Sequence, residues 1–385
     1  MNPIPYGKQH ITEEDLHAVT QTLTSDYLTQ GPKISEFEKK FADYIGVKYA
    51  VALTNGTAAL HLAAMALDVQ PSSNVITTPI TFAASANCIR YCGGDVYFAD
   101  IDPETYLIDI EKVKQLIASK PKGFFSGIIP VDFAGRAVDL EALKALADQH
   151  GLWILEDACH APGGYFRDRN GTKQVCGNCN YADAAIFSFH PVKHIACGEG
   201  GMITTNSDKI YQKLQILRTH GITKDASLLI ENHGGWYYEM QELGYNYRLT
   251  DFQAALGISQ LSRADKGLER RRNIAETYNQ AFSHMNQVIS HSGNVDGHAY
   301  HLYIIEVENR LDLYNHLRQN NIFAQVHYIP VHTLPYYKSL GWKNGDLPNA
   351  EQYYSRCISL PMYPTLSEQE QQYVIAIIKD FFTKA

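Results

Sequence analysis

Between about residues 50 and 205, short apolar runs alternate with stretches of helical spacing. Tyr49–Thr54, Val75–Thr78, Asp95–Ala99, Phe125–Val131, Trp153–Asp157 and Ala184–Phe189 read as buried strands. Thr57–Leu67, Ala83–Tyr91, Ile110–Ala118 and Leu140–His150 repeat their apolar positions at the helical period. This alternation predicts an α/β fold: a mostly parallel sheet with helices on both faces.

After residue 250 the texture changes. Thr250 is a plausible N-cap for a long helical pattern that reaches Phe282 and breaks near Ser262–Gly267. Strand-like runs at His301–Val307 and Ile322–Tyr328 follow, with helical patterns at Leu311–Gln319 and Ser367–Phe382. We expect a large domain over residues 1–264 and a smaller α+β domain over 265–385, with the first twenty or so residues packing against the smaller one. A chain of 385 residues suits such a division. Residues 222–242 show no clean period and read as a long loop, a kind of segment that is often functional.

Composition narrows the function classes. With 45% hydrophobic and 19% charged residues the chain can bury a sizeable core. A formal charge of −8 with no basic block argues against binding nucleic acid or a membrane surface. No run is long and apolar enough to span a bilayer, and the N-terminus lacks a signal-peptide pattern. The seven cysteines are scattered and odd in number, as expected of reduced thiols in the cytoplasm. Neither a dinucleotide-binding G-x-G-x-x-G after a strand nor a P-loop is present.

In a parallel sheet, ligands collect outside the carboxyl ends of the strands. Asn55-Gly56-Thr57-Ala58 follows the first strand and opens a helix, either as a simple cap or as a phosphate seat built on free N–H groups. Asp157 ends a strand, where a buried carboxylate requires a partner. Opposite a pyridine nitrogen it would keep that nitrogen protonated; a metal ligand or structural cap is the other reading. His160 lies one turn further on, as a cofactor contact or a satisfied structural histidine. Lys193 comes just past another strand, within FSFHPVKH and ahead of a Gly-Glu-Gly-Gly turn. Desolvation there lowers a lysine pKa and yields the neutral amine that forms a Schiff base. Ser188 is within reach of a phosphate or ring oxygen. Cys176 and Cys179 have the spacing of half a zinc site, but no second pair follows, so no metal is expected.

Six stretches carry a resemblance across nearly the whole chain: LTQGPKISEFEKKFADYIGVKYAVALTNGTAAL, TTPITFAASAN, EDACHAPGG, FSFHPVKHIACGEGG, LGYNYRLTDFQAALG and AQVHYIPVH. In order and spacing they resemble the DegT/DnrJ/EryC1/StrS sugar aminotransferases, a branch of the fold-type I pyridoxal-phosphate enzymes. The resemblance implies a seven-stranded, mostly parallel sheet sandwiched by helices, plus a smaller α+β domain. It implies that Lys193 carries pyridoxal 5′-phosphate as a Schiff base and that Asp157 pairs with the pyridine nitrogen. Phe82 would stack on the ring, His160 would touch the cofactor, and Gly56, Thr57, Ala58 and Ser188 would serve the phosphate. Asn246 would reach the phosphate of the neighbouring subunit's cofactor, which implies a homodimer with active sites at the interface. A lysine at 193, where related dehydratases have histidine, favours transamination. Ile195-Ala196-Cys197 replaces the family's usual threonines before the Glu-Gly-Gly turn.

Within the family, TTPITFAASAN, VDFAGRAVD and AQVHYIPVH are most similar to the branch serving pseudaminic acid biosynthesis. The implied substrates are UDP-2-acetamido-2,6-dideoxy-β-L-arabino-hexos-4-ulose and L-glutamate. The implied products are UDP-4-amino-4,6-dideoxy-N-acetyl-β-L-altrosamine and 2-oxoglutarate. Tyr6, Asp26, Tyr27, Leu28, Thr29, Arg248, His327, Tyr328, Ile329 and Pro330 would line the nucleotide-sugar site. Another nucleotide-sugar 4-aminotransferase, of the 4-amino-arabinose or bacillosamine type, and a sugar dehydratase are the competing readings.

Overall fold

The computed structural model describes residues 2–384. Seven strands form its central sheet: β1 (Tyr49–Leu53), β2 (Asn74–Thr77), β3 (Asp95–Phe98), β4 (Gly127–Ile129), β5 (Trp153–Asp157), β6 (Ala184–Ser188) and β7 (Gly201–Thr205). Their order is β1-β7-β6-β5-β4-β2-β3. β2 through β6 pair in parallel, whereas β7 runs antiparallel to both β1 and β6. The α/β class and the mostly parallel seven-stranded sheet thus stand as expected. Six of the strands were legible in the sequence; β7 begins at the last glycine of the Gly-Glu-Gly-Gly turn, where the helix–strand alternation lapses.

The register of β7 matters to the cavity. Gly201 pairs with Leu53 on one side and Ser188 on the other. A Cβ at Gly201 would lie 2.4 Å from the Asn55 carbonyl oxygen, so only glycine lets the β1–helix turn pass this close to the sheet.

Helices cover both faces. α1 (Glu13–Leu23) and α2 (Pro32–Ile45) precede the sheet; α3 (Gly56–Ala66), α4 (Ala84–Tyr91), α5 (Ile110–Ala118) and α6 (Leu140–His150) connect its strands; α7 (Asp208–Leu217) follows β7. α2 starts with a proline after Gly31 and stops at Gly46, whose φ of 78° is left-handed. α8 (Asp251–Leu261) and α9 (Ala264–Phe282) are separated at Ser262–Arg263, where the expected break falls. Asp251, fully buried, accepts from the Gly31 and Lys33 amides at 2.8 and 2.9 Å and so caps α2 from another helix.

The C-terminal part holds a three-stranded antiparallel sheet, Ser290–His291 with Tyr303–Glu306 and Cys357–Leu360. α9, α10 (Arg310–Gln319) and the final helix Glu368–Lys384 pack on it. Its apolar cluster, with Tyr278, Tyr303, Leu313, Ile358 and Val374, is separate from the large cluster around the central sheet. Residues Val331, Tyr337, Leu347 and Tyr353 nonetheless join the large cluster.

Two expectations are modified. The first twenty residues divide: Ile4–Pro5 pairs in parallel with Ile322–Phe323, but α1 lies on α8. There the buried Asp15 accepts from Gln260 Nε2 at 2.8 Å and from Arg263 Nη1 at 2.8 Å, and an ion pair holds the helix in place. The strand expected over Ile322–Tyr328 ends at Phe323. Beyond it Gln325 exchanges two backbone hydrogen bonds with Ser359, and His327 Nδ1 lies 2.9 Å from Ser359 Oγ. These bonds turn the segment inward.

Candidate active site

A cavity of about 660 Å³ opens at the carboxyl ends of β1, β5 and β6. It brings together Tyr6, Gly56, Thr57, Ala58, Phe82, Asp157, His160, Ser188, Lys193, His327 and Tyr328 from eight separate stretches of sequence. Asp26, Tyr27, Leu28, Thr29, Asn246, Arg248, Ile329 and Pro330 do not line it within one chain. Leu28 and Thr29 are tied instead to the start of α8, through Asp251 N to Leu28 O at 2.9 Å and a Thr29–Thr250 bridge.

One wall is the start of α3. Asn55 caps it by accepting from Ala58 N at 2.8 Å, and its carbonyl takes the Ala59 N–H. The remaining first-turn donors, those of Gly56 and Thr57, lie at the cavity with the positive end of the helix dipole. A Cβ at Gly56 would stand 3.0 Å from the Ser188 Cβ, so the turn lies tight against the end of β6.

The floor is Asp157, only 4% exposed. Ser85 Oγ donates to its Oδ2 at 2.6 Å and Cys159 N to its Oδ1 at 3.1 Å. Thr81 Oγ1 lies 2.7 Å from Ser85 Oγ, which extends the chain of hydroxyls. The carboxylate keeps lone pairs for one further donor. Phe82, 64% exposed, presents its ring at the mouth.

Lys193 follows β6 in a turn closed by Lys193 N to His190 O at 2.8 Å. Burial lowers its pKa, while Cys159 and Asp157 oppose the shift and Arg271 adds to it. Its Nζ lies 3.5 Å from His301 Nε2. Arg271, 1% exposed, donates through Nη1 to the carbonyls of Tyr300, His301 and Met362, and burial pushes its pKa down to about 10. His160 packs against His301 with ring centroids 4.2 Å apart and the planes tilted by 41°, and burial drives both rings well below the usual histidine range.

Sequence reasoning missed Ser85, His301 and Tyr247 in this cavity. Ser85 lay within the TTPITFAASAN stretch, but a serine at the start of a helix gives no signal of its own. His301 begins a strand-like run and comes to Lys193 only through the fold.

The cysteines form no half-zinc site. Cys176 lies beside Asp132 and Glu156, their ligand atoms within 4.8 Å, whereas Cys179 Sγ points to the carbonyls of Gly177 and Thr204. Both Glu156 oxygens accept from Gly177 N at 3.0 Å, and Asp132 Oδ2 has no donor. A proton on Glu156 would satisfy that oxygen. Burial accordingly raises both pKa values, Asp132 to about 6.

An amine, a buried carboxylate and a helix N-terminus around one cavity define the ligand set of a phosphorylated pyridine aldehyde, and the residues fit that group. Residues 9–379 match the DegT/DnrJ/EryC1/StrS aminotransferase family. The chain belongs to that family and is a sugar aminotransferase that uses pyridoxal phosphate. It is 40% identical over 98% of its length to the Bacillus subtilis spore coat polysaccharide biosynthesis protein SpsC, covering 96% of that protein. It is 35% identical over 96% of its length to the UDP-4-amino-4,6-dideoxy-N-acetyl-beta-L-altrosamine transaminase of Campylobacter jejuni, covering 95% of it. Among solved structures, the sugar aminotransferase Spr1654 from Streptococcus pneumoniae is similar with a TM-score of 0.89 and 30% identity over 99% of both chains, in its PLP form and its PMP form alike. No helix among the described residues is long and apolar enough to cross a membrane.

Proposed function

We propose that this enzyme transfers the amino group of L-glutamate to UDP-2-acetamido-2,6-dideoxy-β-L-arabino-hexos-4-ulose, giving UDP-4-amino-4,6-dideoxy-N-acetyl-β-L-altrosamine and 2-oxoglutarate for pseudaminic acid biosynthesis. The observation that carries the chemistry is the convergence of Lys193, Asp157 and the Gly56–Thr57 turn on one cavity. The Campylobacter relative supports the choice of sugar. A different nucleotide-linked 4-keto sugar is the second reading, favoured by the 40% identity to a spore coat polysaccharide protein.

When bound, pyridoxal phosphate supplies an electrophilic carbon and an electron sink for amino-group transfer. Lys193 Nζ, its pKa lowered by burial, would hold that carbon at rest. Once displaced by glutamate, the same nitrogen takes the proton from the donor's α-carbon, and in the second half-reaction it delivers a proton to C4 of the sugar. Asp157 would hold the ring nitrogen protonated, with its own orientation set by Ser85 and Cys159. The Gly56 and Thr57 amides, Ala58 and Ser188 would receive the phosphate, Phe82 would cover a face of the ring, and His160 would border it. Tyr6, His327 and Tyr328 wall the sugar side of the cavity.

The rest of the reading concerns assembly. We assign the enzyme as a cytoplasmic homodimer, in which the partner's Asn246 reaches the phosphate. Residues 26–29, Arg248, Ile329 and Pro330 would complete the nucleotide-sugar site at the interface. Residues 265–385 are proposed as the smaller domain, supported by their separate apolar cluster. The test is incubation of the loaded enzyme with the UDP-4-keto sugar and glutamate, with the C4 configuration of the product read by NMR. The altrosamine product is expected; amination of only a differently configured keto sugar would transfer the assignment to the second reading.

A further inference from the structure

His160 has both ring nitrogens occupied, and the two contacts differ in kind. Its Nδ1 lies 3.2 Å from the backbone nitrogen of Ala134, inside the core. A backbone amide can only donate, so Nδ1 is the acceptor. Burial, together with Lys193, His327 and His194, keeps the ring neutral. A neutral imidazole that accepts at Nδ1 carries its hydrogen on Nε2. That nitrogen lies 3.3 Å from Tyr328 Oη. The Nε2–H therefore donates and the phenol oxygen accepts.

The direction of this bond settles what Tyr328 has left to give. Its oxygen already accepts from His160, and its own hydrogen finds no acceptor in the hydrogen-bond network of the described residues. The ring is held by Phe133, at 6.0 Å in an edge-on arrangement, and stands 6.3 Å from Phe82 across the mouth. Burial and the nearby Tyr6 and Asp157 raise the phenol pKa, so the O–H stays protonated. Tyr328 lines the cavity together with Asp157 and Lys193.

We propose that the Ala134–His160 contact locks Tyr328 as a one-way hydrogen-bond donor into the active-site cavity, aimed at an oxygen acceptor of the bound molecules. Ala134 and His160 are positioning residues, and Tyr328 is the group that touches the ligand. The acceptor is a carbonyl or phenolate-type oxygen, supplied by the keto group of the sugar or by the ring oxygen of the cofactor. This rests on the proposed site reading and deepens it. A locked donor favours a ligand that presents an oxygen lone pair at this point over an analogue that presents a donor there.

The experiment compares the cofactor-loaded wild type with Tyr328→Phe, His160→Gln and the double variant. Two quantities are read: the visible absorbance maximum without substrate, and kcat and KM for the keto sugar at saturating glutamate. If the cofactor oxygen is the acceptor, Tyr328→Phe shifts the absorbance band. If the keto oxygen is the acceptor, the band stays and kcat/KM falls about tenfold to a hundredfold. His160 also borders the ring, so His160→Gln has an effect of its own; in either case the lock is read as less-than-additive losses in the double variant. An unchanged band together with unchanged kcat/KM in Tyr328→Phe overturns the inference, as do fully additive losses in the double variant. A wild type that takes up no pyridoxal phosphate would instead overturn the site reading beneath it.

Discussion

At the ends of β5 and β6, each polar group that the chemistry needs is held by another part of the same chain. Asp157 is bonded to Ser85 and Cys159, Lys193 neighbours His301, and His160 is fixed between Ala134 and Tyr328. Between Ile222 and Leu243 the chain does the reverse. A two-residue ladder, Ile222–Thr223 with Glu239–Met240, closes the segment, and it turns Ile230, Trp236 and Leu243 outward at 87, 75 and 75% exposure. The bond-making groups of the first region are held within one chain, whereas the second presents apolar surface that the described residues leave uncovered. An apolar patch of this kind marks a contact surface. One fold thus separates the bond-making groups, which the chain positions alone, from a surface consistent with the proposed dimer.

The comparison breaks most easily at Lys193. Replacing it by alanine removes both the anchoring amine and the proton carrier, and turnover should fall by at least about ten-thousandfold with the fold intact. Steady-state kinetics alongside circular dichroism check this; retained turnover would remove Lys193 from the mechanism.

Ser85→Ala tests whether internal ties matter as much as the groups they hold. It leaves a buried carboxylate oxygen without its donor, at a cost of about 1–3 kcal/mol. Retention of pyridoxal phosphate during dialysis should weaken roughly tenfold or more, and unchanged retention would mean that Asp157 needs no such support.

The buried carboxyls of Asp132 and Glu156 lie behind the same floor. Because the folded pKa of Asp132 is raised from 3.8 to about 6, the native state binds more protons than the unfolded chain. Its contribution to stability is present below about pH 4 and is lost as pH rises through about 6. Asp132→Asn, which removes the titrating group, should flatten that loss, by on the order of 1 kcal/mol, in urea midpoints measured across this range. Parallel pH profiles for the two proteins would mean that Asp132 contributes no such pH dependence.

Trp236→Ser addresses the exposed region and should have the smallest effect on the fold, within about 0.5 kcal/mol. It should weaken self-association, as read by sedimentation velocity over a range of concentrations. A monomeric wild type, or an equally strong variant dimer, would separate this patch from assembly.

The strands that carry the site were legible because each is a short apolar run ending in a polar motif. Glu156-Asp157 after Trp153–Leu155, and Ser188 to Lys193 after Ala184–Phe187, are local signals. Ser85 and His301 were not legible. Ser85 meets Asp157 across 72 residues and His301 meets Lys193 across 108, and such distances carry no local period. The shape of Ile322–Tyr328 was misread for a related reason. Its apolar run predicts a strand, but tertiary bonds to Ser359 bend it into the cavity wall.

The most direct test is the visible absorbance of the pyridoxal-phosphate-loaded protein before and after addition of L-glutamate alone. The account predicts a yellow band that depends on Lys193 and bleaches once glutamate has given up its amino group. A band that glutamate leaves unchanged, or one that survives Lys193→Ala undiminished, would contradict it.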